Sequence, residues 1–271
     1  MHHFITSTVQ NDFLSTHELN VSEVWLKAAP TLALDHPFLM NAILSIAALH
    51  ISKTQPSSVD MSRTHRLYLN AALCQHREAV QNLNASNAEA ACVSAILISL
   101  PPIALLPDGE LHGTLNYSPP VHIFHLLAGN IPLFTSALPF IPPTSDILSI
   151  IDANPNLTEF QRQCEVESFS QPFAALSTWR AEKEYLNKDK QVAYEMVLRY
   201  IGCILFHIET GLHTIQLRQL WHAFPMFAPP VFVEGLRVRD PRALVILAYF
   251  FSLTTSMDNV WWLRGIAESE V

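Results

Sequence analysis

The chain has 271 residues, 49% of them hydrophobic and only 15% charged, against roughly 25% charged in an ordinary soluble domain; this excludes a disordered tail and favours apolar surface that meets a ligand or another subunit. With 16 Lys+Arg against 24 Asp+Glu the formal net charge is −8, a field that repels a phosphate backbone, so direct nucleic-acid binding by this chain is not expected. Seven glycines in the whole chain, where average usage near ~7% would give about 19, leave little material for tight β-turns or phosphate loops and point to an all-α protein.

The first strong element is DHPFLMNAILSIAALHIS, Asp35 to Ser52. Asp35 is read as its N-cap with Pro37 in the first turn. Leu39, Ile43, Ile46 and His50 then form one apolar stripe, and the small residues Asn41, Ser45, Ala48 and Ser52 form a second that lets a neighbouring helix come close. A second helix, from about Ser62, carries Leu69, Leu73, His76, Val80 and Leu83 on one face and Arg63, Arg66, Gln75 and Gln81 on the other. Ser86 and Glu89 have capping-box spacing ahead of a third, almost wholly apolar helix that is expected to end at Pro101-Pro102. From Pro101 to Pro143 the chain reads as a long Pro-rich irregular connection with one helix through VHIFHLLAGN. The second half is expected to hold helices around Leu157 to Glu167, Pro172 to Glu184, Asp189 to Thr210 and Asp240 to Ser256, the last capped by Asp240 ahead of Pro241 and enclosed on every side. The multi-helix bundle is thus one domain over 1–271 with two helical halves, roughly 1–100 and 144–271. Apolar runs such as Ala243 to Phe251 are read as short of the ~18 residues a membrane span requires, so no transmembrane segment is expected.

Chemistry-bearing motifs are few. Cys74, Cys92, Cys164 and Cys203 are dispersed, with no CxxC pair, and are read as buried thiols in a reducing compartment. His36 and His50 stand about 21 Å apart along a helix and cannot share a metal ion. His122 and His125 share a face, but no third ligand is marked by spacing. No nucleophile elbow, phosphate loop or dinucleotide fingerprint is present, so catalytic residues, metal and cofactor are all read as none. Asp146, Asp152, Asp240 and Asp258 are read as caps of helices or turns. Arg237, Arg239 and Arg242 form a basic run that either grips an anion or is solvated. Aromatics are concentrated between Phe224 and Trp262, which favours a hydrophobic cavity over plain core.

The stretches HHFITST, VWLKAAPTLALDHPFLMNAILSIAALHIS, YLNAALCQHREAVQNL, SNAEAACVSAILIS and RVRDPRALVILAYFFSLTTSMDNVWWLRGIAE, in this order, resemble the C-terminal regulatory domain of fungal zinc-cluster transcription factors, particularly the sterol-sensing regulators. The six-cysteine zinc cluster of those proteins is absent from these residues. The resemblance implies an all-α bundle, often dimeric, whose apolar pocket holds a sterol and whose occupancy sets whether the protein stays in the cytoplasm or acts in the nucleus.

Together these readings place an apolar, sterol-like ligand in the second half, against Phe227, Phe232, Leu244, Leu247, Ala248, Tyr249, Phe251, Trp261 and Trp262, with Tyr249 as the polar handle. A homodimer is expected from the low charged fraction. Two other readings stay open: a stand-alone relative that reuses the pocket for cyclisation or isomerisation of an apolar metabolite, and a protein-interaction module with no ligand.

Overall fold

A computed structural model describes residues 1–9, 23–55, 59–108, 117–151, 162, 164, 167–178, 188–212 and 214–271. Among the described residues there are helices and no strands, so the all-α expectation holds. The main helices are α1 (Ala29–Asp35), α2 (Pro37–Thr54), α3 (Val59–Gln81), α4 (Ala88–Ala104), α5 (Val121–Ala128), α6 (Asn130–Ala137), α7 (Lys188–Glu209), α8 (Thr214–Phe227), α9 (Pro230–Arg237), α10 (Pro241–Ser252) and α11 (Ile266–Glu270). Two compact units emerge: residues 1–105, 129–154 and 259–263, and residues 106–128, 155–258 and 264–271.

In the first unit α2 is the central helix, with Phe38, Leu39, Ile43 and Ile46 among its many buried residues. Its small-residue stripe receives α3 along much of its length. Ser45 Oγ lies 2.9 Å from His65 Nδ1, and Asn41 Nδ2 donates to Gln75 Oε1 at 3.0 Å. The second helix thus turns His65 and Ala72 inwards while Leu73, expected on the buried face, is 42% exposed. At the C-terminal part of α2, His50 is buried, its Nδ1 3.1 Å from Thr8 Oγ1 and 3.2 Å from His3 Nε2, with the Trp261 ring 4.9 Å away.

Three local expectations are corrected. Asp35 closes α1 rather than capping α2; His36, extended at φ −124° and ψ 93°, makes the break, because a residue before proline is pushed out of the helical region. The Ser86/Glu89 capping box does not form. Asn84 and Asn87 knit the α3–α4 turn, Asn84 N donating to Asn87 Oδ1 at 2.9 Å, while Glu89 accepts from Ser145 Oγ. Helix α4 runs through Pro101 and Pro102 to Ala104, since Leu105 N still reaches Pro101 O at 3.0 Å; a proline lacks its own donor but keeps a helical φ.

Two apolar runs are longer than the sequence reading allowed. Ala88–Asp108 and Val121–Phe140 are long and apolar enough to cross a membrane by length and composition. The first is a core helix, 78% buried. The second divides at Gly129 into α5 and α6, each of eight residues and so about 12 Å long, well short of a ~30 Å hydrocarbon core.

The second unit is organised on α7, which meets α8, α9, α10 and the segment Glu167–Phe173. Its heart is aromatic. Phe224 lies 4.4 Å from Phe250, 5.2 Å from Tyr200 and 5.9 Å from Phe124, and Trp221 stacks on Phe250 at 4.7 Å. The Glu167–Phe173 segment comes unusually close to α7, because Gly202 has no side chain: a Cβ there would stand 1.8 Å from the Phe169 carbonyl oxygen. Asp240 caps α10 as expected, accepting from Ala243 N at 3.1 Å, and also binds Lys190 Nζ. Asp258 Oδ1 receives Gly265 N at 3.3 Å, whereas Asp152 lies outside the described residues. The helices expected at Leu157 to Glu167 and Pro172 to Glu184 also lie largely outside them, apart from the turn Ala174–Thr178.

Candidate functional site

The second unit contains a half-open cavity of about 320 Å³, lined by Cys164, Met196, Val197, Arg199, Tyr200, Phe224, Phe227 and Pro229. Helix α7 supplies Met196, Val197, Arg199 and Tyr200, which share a face because they recur at three- and four-residue steps. Helix α8 supplies Phe224 and Phe227, again three apart. Pro229 follows immediately, where Pro229-Pro230 turns the chain into α9 with Pro230 at its first position.

The polar atoms of this wall are turned into the protein. Tyr200 donates its hydroxyl to Leu220 O at 2.8 Å, and burial raises its phenol well above the ordinary value. The sulfur contact with Cys203, then burial, raise the Cys164 thiol, so it stays protonated. A protonated thiol is a poor nucleophile, and the cavity offers an apolar container with no activated nucleophile in its described wall. Arg199 is the exception. It stands at the rim, its side chain 24% exposed, with Nε 3.4 Å from Glu195 Oε1 one turn earlier on α7.

Of the residues expected against a ligand, Phe227 lines this cavity. Phe232, fully buried, packs edge-on to Tyr194 at 5.7 Å in the aromatic core. Leu247 and Phe251 are buried and Leu244 and Ala248 half-buried on α10. Helix α10 is not enclosed on every side: Val245 is 37% and Tyr249 46% exposed, and Tyr249 leans on Phe173 at 5.2 Å. A largely apolar helix still leaves one stripe, here the i, i+4 pair Val245 and Tyr249, towards solvent. Trp261 and Trp262 are buried and count with the first unit.

The basic run divides three ways. Arg237 forks onto Glu234 at 2.7 and 2.6 Å, Arg239 is exposed in the left-handed region at φ 56°, and Arg242 is buried with its guanidinium 5.1 Å from the Tyr194 ring centre. They do not converge on one anion. His122 and His125 are both exposed on α5, and among the described residues no group of three or more His, Cys, Asp or Glu side chains is placed to hold a metal ion.

What the sequence reading missed is the α7–α8 wall. The signal was present: Met196 and Tyr200 are four apart, and Leu217, Trp221 and Phe224 repeat at helical steps. No helix was expected between Thr210 and Asp240, where α8 carries Pro225 in its interior.

Among the described residues both units are helical, and the second holds an apolar cavity. Residues 1–106 match the family described as Fungal specific transcription factor domain. Over its full length the chain is similar to fungal zinc-cluster transcription factors. It is 28% identical over 282 residues to a Zn(2)-C6 fungal-type transcription factor of Gibberella zeae, covering 100% of this chain and 56% of that protein. A Zn(2)-C6 fungal-type transcription factor of Aspergillus fumigatus is 27% identical over 90% of this chain and 64% of its own length. Sterol uptake control protein 2 of Saccharomyces cerevisiae is 26% identical over 98% of this chain and 29% of its own length. The chain therefore spans less than two thirds of each of these relatives.

Proposed function

We propose that this chain is the ligand-sensing regulatory part of a fungal transcription regulator and that its signal is an apolar metabolite held in the cavity of the second unit. The observation that carries the reading is the cavity itself, about 320 Å³, walled by Met196, Val197, Phe224 and Phe227, with Tyr200 and Cys164 directing their polar atoms inwards. Sterols are the first candidates, because relatives over nearly the whole chain are sterol uptake control proteins. A ligand bound only by the folded form stabilises it in proportion to RT ln(1 + [L]/Kd) and shifts any two-state equilibrium in which the α7–α8 wall takes part. With a net charge of −8 the chain does not read DNA itself. The signal passes instead through assembly or through residence in cytoplasm or nucleus. Exposed Val192, Met196 and Phe206 on α7 offer apolar surface for a homodimer.

The test fuses the chain to an unrelated DNA-binding domain in a fungal reporter strain, with sterol and apolar-metabolite supply varied. Reporter output is expected to follow supply in the parent and to be fixed in Met196→Trp, which fills the cavity from its exposed side. Output that ignores supply in the parent, or that follows it equally in the variant, overturns the reading.

A further inference from the structure

We propose that Cys164 and Cys203 form a reversible oxidation site, a pair of thiols in the second unit that a small neutral peroxide, entering through the cavity, converts to a disulfide. The inference goes beyond ligand sensing and holds whatever the cavity binds.

Three observations carry it. First, both cysteines are free and their side chains are in sulfur–sulfur hydrogen-bond contact, close enough to Tyr200 that both act on its phenol. Sulfurs that already touch are compatible with the short Cβ separation a disulfide requires. Second, the two thiols differ in access. Cys164 lines the half-open cavity, whereas Cys203, three residues beyond Tyr200 on the same face of α7, is fully buried. The route from solvent to the pair therefore runs through the cavity to Cys164. Third, the contact is held by the backbone. The Glu167–Phe173 segment, which follows Cys164 closely in the chain, is pressed onto α7 at Gly202, next to Cys203, where a Cβ would stand 1.8 Å from the Phe169 carbonyl oxygen.

The Cys164 sulfur, its proton lost to solvent, attacks one peroxide oxygen; the O–O bond breaks, a sulfenic acid forms and the other oxygen leaves as water. The Cys203 sulfur then attacks the sulfenic sulfur. The S–S bond forms, the S–O bond breaks, and the departing hydroxide takes the Cys203 proton to make a second water. Two electrons pass from the sulfurs to the peroxide, and a dithiol reductant returns them. The contact with Cys203 and burial keep Cys164 protonated, and the thiolate is the nucleophile, so the first step is slow. The second is fast, because its partner is already in place. The pair thus records sustained exposure to oxidant and ignores a brief one. The disulfide ties the chain at Cys164 to α7, a helix of the cavity wall, and so couples oxidation to the shape of the cavity.

The experiment treats the reduced full chain with hydrogen peroxide, blocks remaining thiols with N-ethylmaleimide in denaturant, and maps the cysteines by mass spectrometry of a non-reducing digest. Cys74, exposed on α3 in the first unit, reports that the oxidant has acted. A peptide cross-linked through Cys164 and Cys203 is expected, reversed by dithiothreitol, and in Cys203→Ser the reaction should stop at a Cys164 sulfenic acid that dimedone traps. Met196→Trp, which fills the cavity, should slow the cross-link several-fold with circular dichroism unchanged. Cys164 and Cys203 both recovered as blocked thiols from parent protein in which Cys74 is oxidised would overturn the proposal, as would a cross-link that joins either of them to Cys74 or Cys92 instead. An equal rate in folded Met196→Trp would overturn the route through the cavity. The parent protein alone decides whether the pair forms, so the result does not depend on any variant folding.

Discussion

Gly202→Ala sets two physical effects of opposite sign against each other. Gly202 lies inside α7, where helix propensity alone makes alanine better by about 1 kcal/mol. The added Cβ, however, would stand 1.8 Å from the Phe169 oxygen and 2.8 Å from its carbonyl carbon. Both are backbone atoms, so no side chain can rotate away. To reach an ordinary 3.4 Å contact the Glu167–Phe173 segment must retreat from α7 by about 1.6 Å, and overpacking of this kind costs typically about 1–3 kcal/mol, occasionally more. With two backbone atoms in the way the upper part of that range applies, about 2–3 kcal/mol, so after the propensity gain a net loss of about 1–2 kcal/mol is expected in urea unfolding followed by circular dichroism. Gly211→Ala is the comparison. Nothing lies within 4 Å of its Cβ position, but its φ of +80° is left-handed, so it should lose roughly 1–2 kcal/mol through backbone strain without moving any neighbour. Gly202→Ala with stability equal to or above the parent would refute the close approach of Phe169.

Acid should destabilise the protein through its buried histidines. Burial, with His3 nearby, lowers the His50 pKa from 6.5 to about 4, and burial lowers His76 to about 4 as well. Between these values the unfolded chain binds more protons, so stability is full above about pH 6.5 and falls as the pH drops towards 4, by at most about 3 kcal/mol for a shift of this size at one site; His50→Gln should flatten that part of a melting-temperature profile, and an unchanged profile would count against it. Asp240→Ala removes the α10 cap and one partner of Lys190, and is expected to cost about 1–2 kcal/mol in the same unfolding assay. Sedimentation equilibrium at tens of micromolar should show a dimer that weakens in Val192→Glu, and a monomer at that concentration would remove the homodimer from the account.

The all-α class was legible because it follows from composition: seven glycines and long apolar runs leave few alternatives. So was the α2–α3 pairing, since Asn41, Ser45 and Ala48 are small or polar at a four- or three-residue step, the spacing that close helix approach requires. The cap at Asp240 was readable from Asp-Pro, yet the same logic failed at Asp35-His36-Pro37. There proline constrains the residue before it, and His36 became the break. The α4 prolines misled in the opposite direction: each removes a donor, but neither breaks a helix whose last turn is buried and still bonded at Leu105. The cavity was legible only in part. Phe227 was identified, but Met196, Tyr200 and Phe224 meet through the packing of α7 on α8, a tertiary fact that periodicity within one helix does not contain.

Whether the second unit holds an apolar molecule is decided by native mass spectrometry of the full chain purified from a fungal host, with extraction and identification of whatever accompanies it. One apolar molecule per chain is expected, released by organic solvent and missing from folded Met196→Trp. A bare polypeptide mass in the parent, or the same adduct at the same occupancy in Met196→Trp, would contradict it.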